Sequence, residues 1–148
     1  MNRLLLIYLL IWMGGFASLK GQEHLPLQWD QLTDVKFAKP APGKYGFAAG
    51  EATFGETIQE LAGQEIEIKG YMLPITADNK EYILSRYSFD QCFFCGGAGK
   101  ESVIMLYPDD QFEFELDEIV TFQGVLHLHR SPDSLAFSLQ RATPVPTR

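Results

Sequence analysis

Two cysteines, Cys92 and Cys95, stand in the run Asp90-Gln91-Cys92-Phe93-Phe94-Cys95-Gly96-Gly97-Ala98-Gly99, and the 148-residue chain has no others. This spacing lets both sulfurs face one centre. A glycine directly after the second cysteine frees backbone N–H groups to turn towards them, which is the layout of a zinc knuckle. Phe93 and Phe94 would supply the apolar shell that keeps such a site dry. Tetrahedral Zn²⁺ needs two further donors. His127 and His129 lie two apart in a stretch that reads as strand, so they project from one face. Cys92, Cys95, His127 and His129 are therefore the candidate metal ligands.

Two other readings of the pair stay open. An exported protein meets an oxidising compartment, where Cys92 and Cys95 would form an ordinary disulfide or stay inert. They could instead cycle as a redox dithiol. A redox pair is best placed at a helix N-terminus, whose dipole lowers the thiol pKa. Gly96-Gly97 would destabilise such a helix by about 2 kcal/mol relative to alanines. Histidines on a wet strand face also need no role beyond being solvated.

Other chemistry is scarce. The sequence holds no GxSxG, HExxH, P-loop or dinucleotide fingerprint. Glu65 and Glu67, like Glu113 and Glu115, read as exposed strand faces, and Asp109-Asp110 and Asp117-Glu118 read as turns. A binding protein is expected, with no catalytic residues.

The elements that must position these groups are mostly strands. Residues 22–37 read as an N-terminal arm that lays Trp29 over the core, and residues 38–53, rich in Pro and Gly, read as loop. Gly55 to Gly63 fits one short helix with Gly63 as its C-terminal cap. The period then changes to two. Ile66 and Ile68 alternate with Glu65, Glu67 and Lys69, and the strand runs through Tyr71-Met72-Leu73 to Pro74. A turn at Asp78-Asn79-Lys80 leads to a second strand, Glu81 to Tyr87, then the cysteine loop. Ser102 to Tyr107 is apolar enough for a central strand. Phe112, Phe114 and Leu116 alternate with glutamates until Asp117-Glu118. Ile119 to Arg130 forms another strand, with Phe122 and Leu126 inward and Thr121, Gln123, Val125 and His127 outward. Leu135, Phe137 and Leu139 mark the last strand.

Two strands share a hydrophobic-x-hydrophobic-x-Gly rhythm, ending at Gly70 and at Gly124. A strand glycine loses stability unless the strand must coil or bulge, as it must in a small closed barrel. The predicted fold is all-β: a five- to six-stranded OB-like barrel over residues 55–148, with one short helix and an N-terminal arm and loop over 22–54.

Residues 1–21 read as a secretory signal peptide. Arg3 gives the positive start, Leu4 to Met13 the apolar run, and Gly14, Gly15, Ala17 and Ser18 the small residues for cleavage after Ala17 or after Gly21. The run is shorter than the roughly 20 residues that span a bilayer, so no stable span is expected after cleavage. An uncleaved anchor is the competing reading. No cysteine lies near the cut, which excludes a lipoprotein anchor. Cleavage takes away Arg3 and Lys20, so the 12 basic residues fall to 10 while all 19 acids stay, a formal charge of −9. Such a surface repels phosphate backbones and anionic lipid, and nucleic acid is excluded as a partner class.

The run Leu61-Ala62-Gly63-Gln64-Glu65-Ile66-Glu67-Ile68-Lys69-Gly70-Tyr71-Met72-Leu73-Pro74 resembles the hallmark of an exported bacterial family of unknown function. Members pair a W..L start, here Trp29 and Leu32, with an L.G..V.I.GYMLP strand. A cysteine-containing loop and a V.V.G.L strand follow. The resemblance covers roughly residues 28–142. Cys92 falls where the family keeps a cysteine. Many relatives have a proline-rich continuation in place of Phe94-Cys95-Gly96-Gly97, so a second thiol is not general, which weakens a family-wide Cys2His2 site and fits either a site particular to this branch or no metal at all. Relatives are often encoded near ABC-type transporter components, some linked to metal supply. The resemblance thus implies an exported, periplasmic or extracellular accessory of an envelope transporter, handling metal or binding a partner rather than catalysing. The expected function is a non-enzymatic zinc-binding accessory. A thiol–disulfide protein using Cys92 and Cys95, or a metal-free interaction module, is the alternative.

Overall fold

Strand alternation in the sequence becomes inside and outside of a closed wall. The computed structural model describes residues 24–39, 50–74 and 82–146. The signal peptide expected at 1–21, the turn at 78–80 and most of the loop at 38–53 fall outside the described residues. In chain order the strands are β1 (Leu25–Pro26), β2 (Val35–Phe37), β3 (Ala52–Phe54), β4 (Glu65–Pro74), β5 (Tyr82–Ser85), β6 (Val103–Tyr107), β7 (Ile119–Leu128) and β8 (Phe137–Pro144). One short helix, α1 (Glu56–Leu61), precedes β4.

Five strands close a barrel in the order β4-β5-β6-β8-β7, with β7 pairing back onto β4. The β6–β8 pair is parallel, and the other barrel pairs are antiparallel. This is the Greek-key connectivity of an OB-type barrel, as the sequence predicts. β1 adds in parallel to the outer edge of β4. β2 and β3 form a separate antiparallel ribbon, so part of the predicted loop is strand. α1 matches its expected span, with Gly63 at φ 78° just beyond it and the Gly63 N–H donating to the Leu126 carbonyl (2.8 Å).

Inward residues from every barrel strand meet in one core that includes Ile66, Ile68, Met72, Leu84, Ile104, Phe122, Leu126, Phe137 and Leu139. Leu27, Leu32, Phe54 and Ile58 extend it, so the arm, the ribbon and α1 cap the barrel. Trp29 packs on this core as expected, and its indole N–H donates to the Lys69 carbonyl (2.7 Å).

Gly70 and Gly124 are where the sequence places bends, and both are sites of close approach. A Cβ at Gly70 would stand 2.5 Å from the Ser85 carbonyl oxygen, and one at Gly124 would stand 2.7 Å from the Gln140 carbonyl oxygen. Beside Gly124 the ladder slips. β7 advances from Gln123 to Val125 while β8 goes from Thr143 to Gln140, and Arg141 in the bulge takes φ 53°.

The alternating run at Phe112, Phe114 and Leu116 forms no strand, which corrects the sequence expectation. Its period reflects a one-sided contact with the barrel rather than a ladder. The Phe114 ring lies 5.7 Å from Phe122 and 6.3 Å from Tyr82, and the Tyr82 hydroxyl donates to the Phe112 carbonyl. Aromatic contacts of this kind add about 0.5–1.5 kcal/mol each beyond burial, so packing can hold the segment without strand pairing.

Candidate functional site: the cysteine loop on the barrel wall

The connection from β5 to β6 leaves and rejoins the barrel at one place, because the Arg86 N–H donates to the Ser102 carbonyl (2.9 Å). Between these points the chain makes three short 3₁₀ turns, Phe89–Gln91, Phe93–Cys95 and Lys100–Ser102. The first is stapled to the turn before β7, which is itself bonded to β4 through the Asp117 N–H and the Met72 carbonyl (3.0 Å). Asp117, at φ 64°, accepts from the Phe89 N–H through its carboxylate (2.7 Å).

The loop lies on the outer face of the β4–β5–β6 wall. All four residues of β5 are buried: Tyr82 and Leu84 face the core, while Ile83 and Ser85 are covered from outside. Cys92 forms a second, smaller core there with Leu73, Ile83 and Val103, ringed by Phe93, Phe94, Met105 and Leu135. Its side chain is wholly buried, with 0% exposure, whereas Cys95 is exposed.

Local geometry brings the two sulfurs together. A 3₁₀ turn has three residues per turn, so positions i and i+3 eclipse. The Cys92 carbonyl accepts from the N–H groups of both Cys95 (3.2 Å) and Gly97 (3.1 Å), and the Gly96 N–H donates to the Phe93 carbonyl (3.0 Å). These amides thus bond to carbonyls, not to sulfur as a zinc knuckle's would. Gly96 takes φ 77°, and a Cβ at Gly97 would stand 2.6 Å from the Gln91 carbonyl oxygen, so both positions favour glycine strongly. Both thiols are free, and the two cysteines stand one 3₁₀ turn apart. The Cys95 thiol is pushed above the ordinary thiol range, first by residual desolvation, then by Cys92 and Asp90.

The histidines sit elsewhere on the wall. His127 is exposed and pairs with Ser138 of β8. His129 lies just past β7, its N–H donating to the Ala136 carbonyl (2.8 Å) and its Nε2 2.7 Å from Ser138 Oγ. Partial burial, then His127, lowers its pKa. The register row Leu73, Ile83, Met105, Ser138, His127 crosses all five barrel strands. Strands are about 4.8 Å apart, so His127 lies roughly 14 Å along the wall from Ile83, under Cys92. Zn–S and Zn–N bonds of about 2 Å cannot bridge that span. Lys100 adds a cation: its ammonium stands 5.6 Å from the Phe93 ring, and it lines the same small cavity as His129. Among the described residues no group of three or more His, Cys, Asp or Glu side chains is gathered to hold a metal. The chain brings Cys92 and Cys95 together and does not join His127 and His129 to them.

Sequence reasoning missed a cleft of about 380 Å³ beside the loop, lined by Arg86, Tyr87, Asp90 and Glu101 among others. Arg86 is held there by Asp30 (2.8 Å) and stacks 5.4 Å from the Tyr87 ring centre. No periodicity marks these loop residues. The charge cluster around Arg86 and Asp90 was the available signal.

These features define an OB-type β-barrel whose β5–β6 face, the face that OB barrels use for ligands, is covered by its own dithiol loop. No protein-family model and no curated protein matches the chain. Its fold is similar to a crystal structure of a DUF3299 family protein from Pseudomonas aeruginosa PAO1, with a TM-score of 0.55 and 19% identity, covering 84% of this chain and 98% of that one. At that identity the likeness carries the fold. A neighbour from a family of unknown function is consistent with the uncharacterised bacterial family that the Gly70–Pro74 motif resembles. Among the described residues no helix is long and apolar enough to cross a membrane.

Proposed function

We propose that the protein is an exported, non-catalytic accessory of the bacterial cell envelope that holds a thiophilic metal ion, zinc first, on Cys92 and Cys95. The remaining ligands come from a partner such as an envelope transporter component. One observation carries this reading: Cys92 and Cys95 stand one 3₁₀ turn apart on a loop anchored in the barrel wall, with Cys95 at the surface. Closed four-ligand sites store metal structurally, while open positions permit exchange. Two protein ligands leave such positions for a partner. The signal-like residues 1–21 and the acidic surface support an exported role that attracts cations.

Binding must remove the thiol protons, and the raised Cys95 pKa makes that costlier at neutral pH. Affinity in isolation is therefore modest and rises with pH. The test is zinc content of reduced mature protein purified without chelator or nickel resin, with Cys92→Ala and Cys95→Ala alongside. About one zinc per chain, lost in both variants and kept in His127→Ala/His129→Ala, supports the reading. No zinc at any pH between 7 and 9, or loss through the histidines alone, contradicts it.

A metal-free interaction module is favoured by a different observation. Phe89, Leu116 and Ile119 are 47%, 51% and 51% exposed around the Asp117 turn. On that reading partner capture survives loss of both cysteines and fails when these apolar residues are changed.

A further inference from the structure

We infer that Cys92 and Cys95 form a redox gate on the proposed metal site, with Cys95 as the point of entry and Cys92 as the resolving thiol; the gate rests on the metal reading. Two observations carry it. A 3₁₀ turn closed by the Cys95 N–H on the Cys92 carbonyl (3.2 Å) holds the two cysteines at i and i+3. Chain ends of a hydrogen-bonded turn lie under about 7 Å apart at Cα, and disulfides need about 4.4–6.8 Å, so closure needs little movement. The environments also differ: Cys92 is sealed under Phe93 and Phe94 against Leu73, Ile83 and Val103, and Cys95 faces solvent.

An external disulfide therefore meets Cys95 alone. The Cys95 thiolate attacks one sulfur of a small-molecule disulfide, forming a mixed disulfide and releasing one thiolate. The Cys92 thiolate, one turn away on the same hydrogen-bonded loop, displaces the second small thiolate and closes Cys92–Cys95. The protein loses two hydrogens and two electrons, the small disulfide becomes two thiols, and the two protons end on those thiols. Neither sulfur can then bind metal as a thiolate, so oxidation empties the site and reduction restores it.

The experiment treats reduced mature protein, Cys92→Ala and Cys95→Ala with oxidised glutathione and follows intact mass. The expected result is loss of two hydrogens in the unaltered chain, a stable glutathione adduct on Cys92→Ala, and modification of Cys95→Ala slower on the order of a hundredfold, limited by local opening. Retention of both thiols in the unaltered chain overturns the inference, as does an adduct on Cys95→Ala but not on Cys92→Ala. Zinc titration of the reduced and oxidised forms separates the two proposals. Uptake by the reduced form only supports the gate, and equal uptake overturns it. No uptake by the reduced form overturns the metal reading and the gate with it, while the mass result still decides the Cys95-first closure.

Discussion

Replacing Cys92 tests the geometry of the loop without invoking metal or oxidant. Its side chain is wholly buried in an apolar lining of Leu73, Ile83 and Val103. In Cys92→Ser a hydroxyl that wants strong hydrogen bonds replaces a thiol that behaves as a small hydrophobe. An under-satisfied buried hydroxyl costs about 1–3 kcal/mol. Cys92→Ala instead leaves a one-atom cavity, a loss of about 1 kcal/mol. Cys95→Ser, at the exposed end of the same turn, should stay within about 0.5 kcal/mol of the unaltered chain. A domain of this size shifts its Tm by about 3 °C per kcal/mol, so Cys92→Ser should melt about 3–9 °C lower. Since domains are typically stable by about 5–15 kcal/mol, the variant should still fold. Urea and thermal unfolding, with reductant and chelator present, measure all three. Equal effects at the two positions, or a larger loss at Cys95, would refute a loop anchored through Cys92.

Gly97→Ala places a Cβ 2.6 Å from the Gln91 carbonyl oxygen, a backbone atom that cannot swing away. It should cost about 1–3 kcal/mol and raise the alkylation rate of Cys92 as the loop lifts. Trp29→Phe keeps the ring contact with the core but leaves the Lys69 carbonyl without its indole donor. A loss of about 1 kcal/mol in urea unfolding is expected, and no change would show the bond to be incidental. Partial burial, then His127, lowers the pKa of His129, so its folded pKa lies below its unfolded value. The associated stability is present above the ordinary histidine range and is lost as pH falls through it towards the folded pKa. An NMR titration should place the His129 midpoint below that of the unfolded chain, and a midpoint at or above it would contradict this environment.

The barrel was legible because period two and two glycines carry direct physical meaning. Ile66, Ile68, Phe122 and Leu126 could only face inward, and Gly70 and Gly124 stand where another backbone comes within contact. Phe112 and Phe114 misled because a one-sided aromatic cover shows the same alternation as a strand. The ligand set shows a deeper limit. Sequence parity placed His127 on the outer wall, the wall that also carries Cys92. Parity gives the face and not the position around the barrel. The parallel β6–β8 pairing inserts β8 between β6 and β7, and the β4–β7 ladder stops at Val125, short of His127; periodicity holds no trace of either. Likewise CxxCGG reads equally as a knuckle or as a tight turn, and only the carbonyl-directed amides of Cys95 and Gly97 distinguish them.

Cobalt(II) titration of the reduced mature protein tests the dithiol metal site most directly, because thiolate ligation gives an intense near-ultraviolet charge-transfer band. The expected result is a saturable band at one ion per chain, lost in Cys92→Ala and in Cys95→Ala and unchanged in His127→Ala/His129→Ala. A titration without a thiolate band, or a band that disappears with the two histidines, would contradict a metal held by Cys92 and Cys95.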